Sequence, residues 1–342
     1  MPRIDEVFNT GELINYFKER ELTPMLGESL FPDRKIPDIE FDMILGGGGL
    51  PVSASVHAFD TKTQLASREA ISKGAAALAL IKRQIKITEK ELIKIQNPRN
   101  EQELNFVIGQ LFNDAEKMVE SIKVKAEVMK MEALTTGKVK IEENGVKVTL
   151  DYGMPAGNKK TFNWKTVTTA KPLDDIKTLT DAIEDESGNR PTRALTSRVI
   201  VDRICACDTV RKAIHGVNAD RIVTLAELNS LLSQMNLPQI ITYDAKYRVE
   251  GAKGYITKRY FPENAFVVFS EGSLGEGIYG LTAEEVKLIG DGKMKEAGMV
   301  GNIFVGTYTS IDPVGEFTKA VSTFLPSFPY ANEVGVGTIT LA

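Results

Sequence analysis

The chain has 342 residues, of which 42% are hydrophobic, 26% charged and 7% aromatic, a composition that excludes disorder, a collagen-like repeat and a disulfide scaffold. Forty-two Lys and Arg against forty-six Asp and Glu give a formal charge of −4, so no global basic field draws the chain to nucleic acid or to an anionic membrane. A chain of this length buries about 75% of its extended surface on folding, enough for one large core or two smaller ones.

The two cysteines, Cys205 and Cys207, are one residue apart, too close for an ordinary structural bridge, and a reducing, intracellular site of folding is expected. The opening Met-Pro-Arg-Ile-Asp-Glu places acids early and no apolar run of signal-peptide length follows it, so no secretion signal is expected. Apolar stretches such as Ala75 to Ile81 fall far short of the ~20 residues that a membrane-spanning helix needs, and a soluble protein is expected.

In chain order, the first fifty residues read as an arm. A short amphipathic piece from Glu12 to Arg20 precedes Pro24, Pro32 and Pro37, which punctuate sequence that cannot continue a helix. The run Gly46 to Gly49 suits a hinge, a close backbone approach or a flexible surface loop. Val52, Ala54, Val56 and Ala58 alternate as a strand does, and Lys82 to Ile87 alternates again, which suggests a long two-stranded excursion; Ala75 to Leu80 fits a helical turn equally well.

The clearest element follows. Asn100 and Glu103 suit a cap and its third-position partner, and apolar residues then recur with helical spacing from Leu104 through Ile108, Phe112, Ala115, Val119 and Ile122 to Met129. With Thr135, Thr136 and Gly137 closing it, this predicts a helix of about 34 residues, about 51 Å long. Paired apolar residues make the stripe broader than a heptad seam, so packing on a sheet is expected rather than a dimeric coiled coil.

Lys138 to Leu150 alternates around Asn144-Gly145, whose residues tolerate the positive φ of a tight turn, and predicts a hairpin opening a sheet. Trp164 precedes Pro172, and a helix through Ile176, Leu179 and Ile183 ends before Gly188. Beyond it an α+β pattern is expected. It comprises a strand near Arg193 to Thr196, a helix through Ile200, Ile204 and Val210, a helix from Leu225 to Met235, and strands at Ile240 to Tyr243 and Phe266 to Phe269. From Ile303 to Ala342, Asp312-Pro313, Pro326 and Pro329 exclude long helix.

No catalytic, cofactor-binding or metal-binding residue is assigned from these patterns. His57 and His215 are the only imidazoles, and His215, just before Gly216, reads as a helix C-terminal residue that suits the dipole there. Cys205 and Cys207 fall in a predicted helix, about 200° apart, and read as small buried apolar residues. Gly272 to Gly277 lacks the spacing of a phosphate cradle and reads as a turn-rich loop. Asp174 and Asp175 read as helix-start acids.

The first half of the chain carries a proline-punctuated stretch with Leu30-Phe31-Pro32, a strand-like loop, one very long helix, and a hairpin leading to Trp164. The second carries Pro172-Leu-Asp-Asp-Ile176, Gly188-Asn-Arg-Pro191, the Ile240 to Tyr247 stretch and Tyr260-Phe-Pro-Glu-Asn264. The tail adds Asp312-Pro313, Glu316-Phe-Thr318 and Leu325-Pro326. In this order the features resemble the major capsid protein E family of lambda-like tailed phages; Gly272 to Gly298 matches it less clearly.

The resemblance implies an α+β protein of the Hong Kong 97 capsid fold. Its N-terminal arm would span 1–49, an extended loop 50–96, a peripheral domain with spine helix and hairpin 97–172, an axial domain 173–302, and a returning C-terminal segment 303–342. It implies a head protein, not an enzyme, that assembles in the host cytoplasm as a homo-oligomer of pentamers and hexamers. The resulting virion shell would enclose double-stranded DNA without sequence-specific binding, meet scaffold, portal and decoration proteins, and involve no membrane or cofactor. Arm and loop would bury their apolar residues across neighbours. The alternatives are an encapsulin-like nanocompartment shell around a protein cargo and an α+β enzyme.

Overall fold

The computed structural model describes residues 15–17, 24–45, 72–87, 89, 92–93, 101–216, 220–251, 254–290, 298–312 and 314–341. The Gly46 to Gly49 run, the Val52 to Ala58 alternation, His57 and the proposed cap at Asn100 lie outside the described residues.

Residues 15–17 are helical; further on, a single helical turn, α1 (Leu26–Leu30), crosses Pro32 into a short strand, β1 (Asp33–Lys35). Strands β2 (Glu40–Leu45) and β3 (Ser72–Ala77) pair as a two-stranded ribbon, and β4 (Ala79–Ile87) follows directly. Ala75 to Leu80 is therefore extended, and of the two readings left open for it the helical turn is excluded. Small Ala residues accept either state, and pairing with a neighbouring strand decides between them.

Helix α2 (Glu101–Thr136) has 36 residues, close to the length that the spacing predicts. It stops at Gly137, which has φ +70° and donates its N–H to the Ala133 carbonyl. A Cβ there would come 2.6 Å from Met154 Cβ, so glycine is required twice over. The chain then turns into a hairpin of β5 (Lys138–Glu143) and β6 (Val146–Asp151), with Asn144 and Gly145 at φ 50° and 83° as the tight turn demands. The hairpin stands as its own two-stranded sheet, so the expectation that it opens a larger sheet is not met.

Next come β7 (Lys159–Asn163) and α3 (Pro172–Ser187), with proline in the first turn and Gly188 in the left-handed conformation at its C-cap. After β8 (Arg193–Thr196), the single helix expected through Val210 is two: α4 (Arg198–Ala206) and α5 (Asp208–His215). Ser197 caps α4 by accepting from the Ile200 N–H, and Cys207, with φ −67° and ψ 133°, breaks the two apart. Cys207 accordingly belongs to no helix, a correction to the predicted position of the pair.

Helix α6 (Leu225–Gln234) starts with a capping box between Thr224 and Glu227. It leads to β9 (Gln239–Thr242), the ribbon β10 (Lys246–Gly251) and β11 (Gly254–Arg259), and β12 (Ala265–Phe269), whose five residues are all buried. The last stretch holds β13 (Glu276–Tyr279), α7 (Ala283–Gly290), β14 (Gly298–Val300), β15 (Ile303–Ile311), β16 (Val314–Ser327) and β17 (Gly335–Thr340). The prolines do exclude helix, as expected; Pro326 nonetheless lies inside β16, past Phe324, the last residue paired with β4.

These elements form two compact units. One takes residues 1–41, 75–129 and 276–327; the other takes 42–74, 130–275 and 328–342. In the first, a six-stranded sheet runs β1-β13-β16-β15-β14, with β4 paired to the other side of β16. Leu111, Ala115, Met118, Val119 and Ile122 of α2 are buried against Ile303, Val305 and Ala320 of this sheet. The broad stripe thus packs on a sheet, as its width predicts. Ile108, near the start of the predicted stripe, is only half-buried.

The same unit also corrects the expectation for the arm. Leu30 and Phe31 are 1% and 0% exposed within a single subunit, and β1 lies parallel to β13. The Gly27 N–H donates to the buried Glu127 carboxylate at 3.0 and 3.1 Å, which gives α1 the anionic cap its own residues lack. Residues 24–41 therefore bury Leu30 and Phe31 in cis, and β4 pairs in cis with β16.

In the second unit a five-stranded sheet runs β7-β17-β12-β8-β9. Its core joins Trp164, Ile176, Leu179, Ile183, Ile200, Ile204, Leu228, Leu232 and Phe266. Helix α3 comes so close to β17 that a Cβ on Gly335 would clash with Ile183 Cδ1.

Candidate functional site

The residues with chemical potential are scattered over several elements of the fold. His215 ends α5, with Gly216 as its C-cap, where a cationic or polar residue suits the helix dipole. Burial raises the Cys205 thiol above its ordinary value and pushes the Cys207 thiol up to about 11, so both stay protonated and unreactive at neutral pH. The loop before Glu276 only leads into β13. Asp174 is exposed, whereas Asp175 accepts a 2.7 Å hydrogen bond from Nε1 of the fully buried Trp164. Asp175 is thus more than a helix-start acid, because it satisfies the one polar atom of a buried indole. Among the described residues no group of three or more His, Cys, Asp or Glu side chains could hold a metal ion.

What the fold does present is surface of an unusual kind. The β5–β6 ribbon exposes Val146 and Val148 by about half, and the β10–β11 ribbon exposes Tyr255 and Ile256 by more than half. Two-stranded ribbons are marginal on their own, so these depend on a firm base. The β10–β11 ribbon has one in Tyr247 and Tyr243 packed on Tyr260, with ring centroids 4.9 and 6.1 Å away. Arg259 reinforces it, donating to Asp244 at 2.6 Å and to Glu263 at 2.7 Å.

A third surface lies on the six-stranded sheet, on the face turned away from α2. Residues directly opposite in an antiparallel pair share a face, and the register places Lys82, Gln84 and Lys86 of β4 beside Val321, Lys319 and Phe317 of β16. Tyr308 of β15 lies opposite Phe317 on the same side, stacked on it at 5.1 Å. Lys82, Arg83, Gln84, Glu284, Tyr308, Lys319 and Val321 line an open hollow of about 410 Å³.

Within it Lys82 and Lys319 both pair with Glu284, at 3.4 and 3.1 Å, and the Tyr308 hydroxyl donates to Gln84 at 3.1 Å. Burial opposes ionisation of Glu284, but a backbone hydrogen bond and the two lysines more than offset it and hold the carboxyl below its ordinary value. Lys86 caps the Phe317 ring at 5.6 Å. The period-two placing of Lys82, Gln84 and Lys86 was visible in the sequence as a strand signal; that the strand joins a sheet whose other face carries α2 was not.

Residues 9–337 match the family model described as phage major capsid protein E. Among solved structures, a chain assigned as the capsid protein of a prophage from E. coli CFT073 superposes with a TM-score of 0.64 at 16% identity, covering 97% of this chain and 99% of that one. A phage-related protein from Bordetella bronchiseptica RB50 gives 0.57 at 12% identity, covering 99% and 98%. No curated protein matches. At such identities the two structures speak for the shared fold, and the family model speaks for the family.

Proposed function

The chain belongs to the phage major capsid protein E family and is the major capsid protein of a phage or prophage, and we propose that it builds a closed icosahedral shell of pentamers and hexamers around double-stranded DNA. The observation that carries this reading is the family match over 9–337. As a component of the virion, the subunit would assemble in the host cytoplasm with scaffold, portal and decoration proteins.

On this reading residues 1–49 are the arm, 50–96 the extended loop, 97–172 the peripheral domain on its spine helix, 173–302 the axial domain, and 303–342 a returning segment. The protein acts by assembly rather than catalysis, without cofactor or metal, and its mild acidity suits a wall that encloses DNA without gripping it. A nuclease-protection assay on particles purified from induced or infected cells tests this. Protected double-stranded DNA is the expected content; particles that hold one protein cargo and no DNA would make the chain a nanocompartment shell instead.

A further inference from the structure

We propose that the lysine-lined hollow on the six-stranded sheet receives the acidic stripe of helix α3 from a second copy of this chain, forming a heterologous contact; this rests on the assembly reading above. Each patch lies within one unit of the subunit, so its geometry is internally fixed. On the sheet, Lys82 and Lys86 stand four residues apart on one face, about 13 Å at strand rise, with Lys319 beside the Gln84 between them. Glu284 offsets only one of these three charges.

On α3 the segment from Pro172 to Ser187 carries six carboxylates against one lysine. Asp174, Asp181 and Asp185 fall on one helical face with Thr178, and Asp174 to Asp185 spans about 16 Å. Lys171 pairs with Asp174, Lys177 and Arg190 pair with Asp181, and Arg190 also pairs with Glu184, so three cations offset half of the six carboxylates. Asp185 and Glu186 are exposed and have no ion pair among the described residues. The two arrays agree in length and oppose in sign.

A contact between two different patches generates rings when its rotation closes, which is the kind of contact that a capsomer needs. Single exposed ion pairs contribute little, so the effect comes from an array repeated at every subunit. Nucleic acid fits the hollow less well, because a phosphate backbone would meet the Glu284 carboxylate in the middle of its cationic rim.

The test is charge reversal with complementation, read by sedimentation velocity and electron microscopy on the full chain at low and high salt. One variant carries Lys82→Glu with Lys319→Glu, the other Asp185→Lys with Glu186→Lys. Each alone is expected to lose at least tenfold of its assembled fraction, and an equimolar mixture is expected to recover it, because each variant's altered patch then meets an opposite one. Zero-length carbodiimide coupling of isotopically mixed wild-type protein, mapped by mass spectrometry, is expected to join Lys82 or Lys319 to the Asp185 region of another copy, and it keeps the test valid if a variant misfolds.

Variants that assemble like the wild type, a mixture that does not recover, or absent intermolecular coupling in assembled protein would each overturn the contact while leaving the shell reading intact. Loss of DNA retention by the lysine variant, with the α3 variant silent in assembly, would assign the hollow to nucleic acid and overturn it too. Wild-type protein that never associates would instead remove the shell reading on which the contact rests.

Discussion

Among single residues, the clearest dependency is that of Trp164 on Asp175. The indole is fully buried and its Nε1–H has a carboxylate acceptor at 2.7 Å, so Asp175→Ala strands a buried donor at a cost of about 1–3 kcal/mol. Trp164 is the sole tryptophan, so its fluorescence reports on the unit that contains it. Asp175→Ala is expected to lower the fluorescence-monitored Tm by several degrees, and an unchanged midpoint would show that the bond contributes nothing net.

Cysteine reactivity offers a second check at this scale. With its thiol pushed up to about 11, Cys207 is expected to react on the order of 100-fold more slowly than a free thiol at pH 8, and at the ordinary rate once the chain is unfolded in denaturant. Fast labelling of Cys207 in the native protein would contradict the burial assigned to it. The sequence marked both cysteines as buried apolar residues but could not place Cys207 at the break between α4 and α5. Nothing in Cys-Asp-Thr says that the helix restarts there. Asp175 was likewise legible only as a helix-start acid, because the Trp164 that it serves is recruited by packing rather than by spacing.

At the level of elements, periodicity was legible wherever one face is buried throughout. Helix α2, the hairpin turn at Asn144-Gly145, α3 and the fully buried β12 all announce themselves by spacing or by turn chemistry. Short strands recruited by a partner do not. β1 is three exposed residues held parallel to β13, and the β10–β11 ribbon, mixed in composition, was missed altogether. The arm was misjudged for a related reason. Its prolines correctly excluded long helix, yet the partners that hold the chain on either side of Leu30 and Phe31, Glu127 for Gly27 and β13 for β1, lie about 100 and 240 positions downstream.

The helix stripe yields a graded prediction. Ile122 is 0% exposed at the sheet, and Ile122→Asp puts an unpaired carboxylate there, a burial expected to cost well over the 1.5–3 kcal/mol of the lost apolar contact. Ile108→Asp, on a half-buried position, is expected to cost less. Circular dichroism melts should rank wild type above Ile108→Asp above Ile122→Asp. A folded Ile122→Asp monomer with an unchanged midpoint would mean that the stripe is a seam between subunits.

For the whole molecule, neither a metal constellation nor a catalytic one is evident among the described residues, while its ribbons and sheet faces display apolar and charged groups to solvent. Family membership was legible in the order of many short motifs, because fold and assembly constrain the whole chain rather than one site. The surfaces where copies meet were not, since an exposed valine or lysine looks the same in sequence whether solvent or a neighbour covers it.

Such surfaces acquire their meaning only in the assembly, and stability then depends on protein concentration. Cryo-electron microscopy of the particles formed by the full chain, alone or with other proteins of the same phage or prophage, tests this most directly. The expected result is a closed shell with both fivefold and sixfold capsomers and α2 packed on the sheet of its own subunit. A protein that remains monomeric at high concentration with those proteins present, or that closes only into a low-order oligomer with a saturable small-molecule ligand, would contradict it.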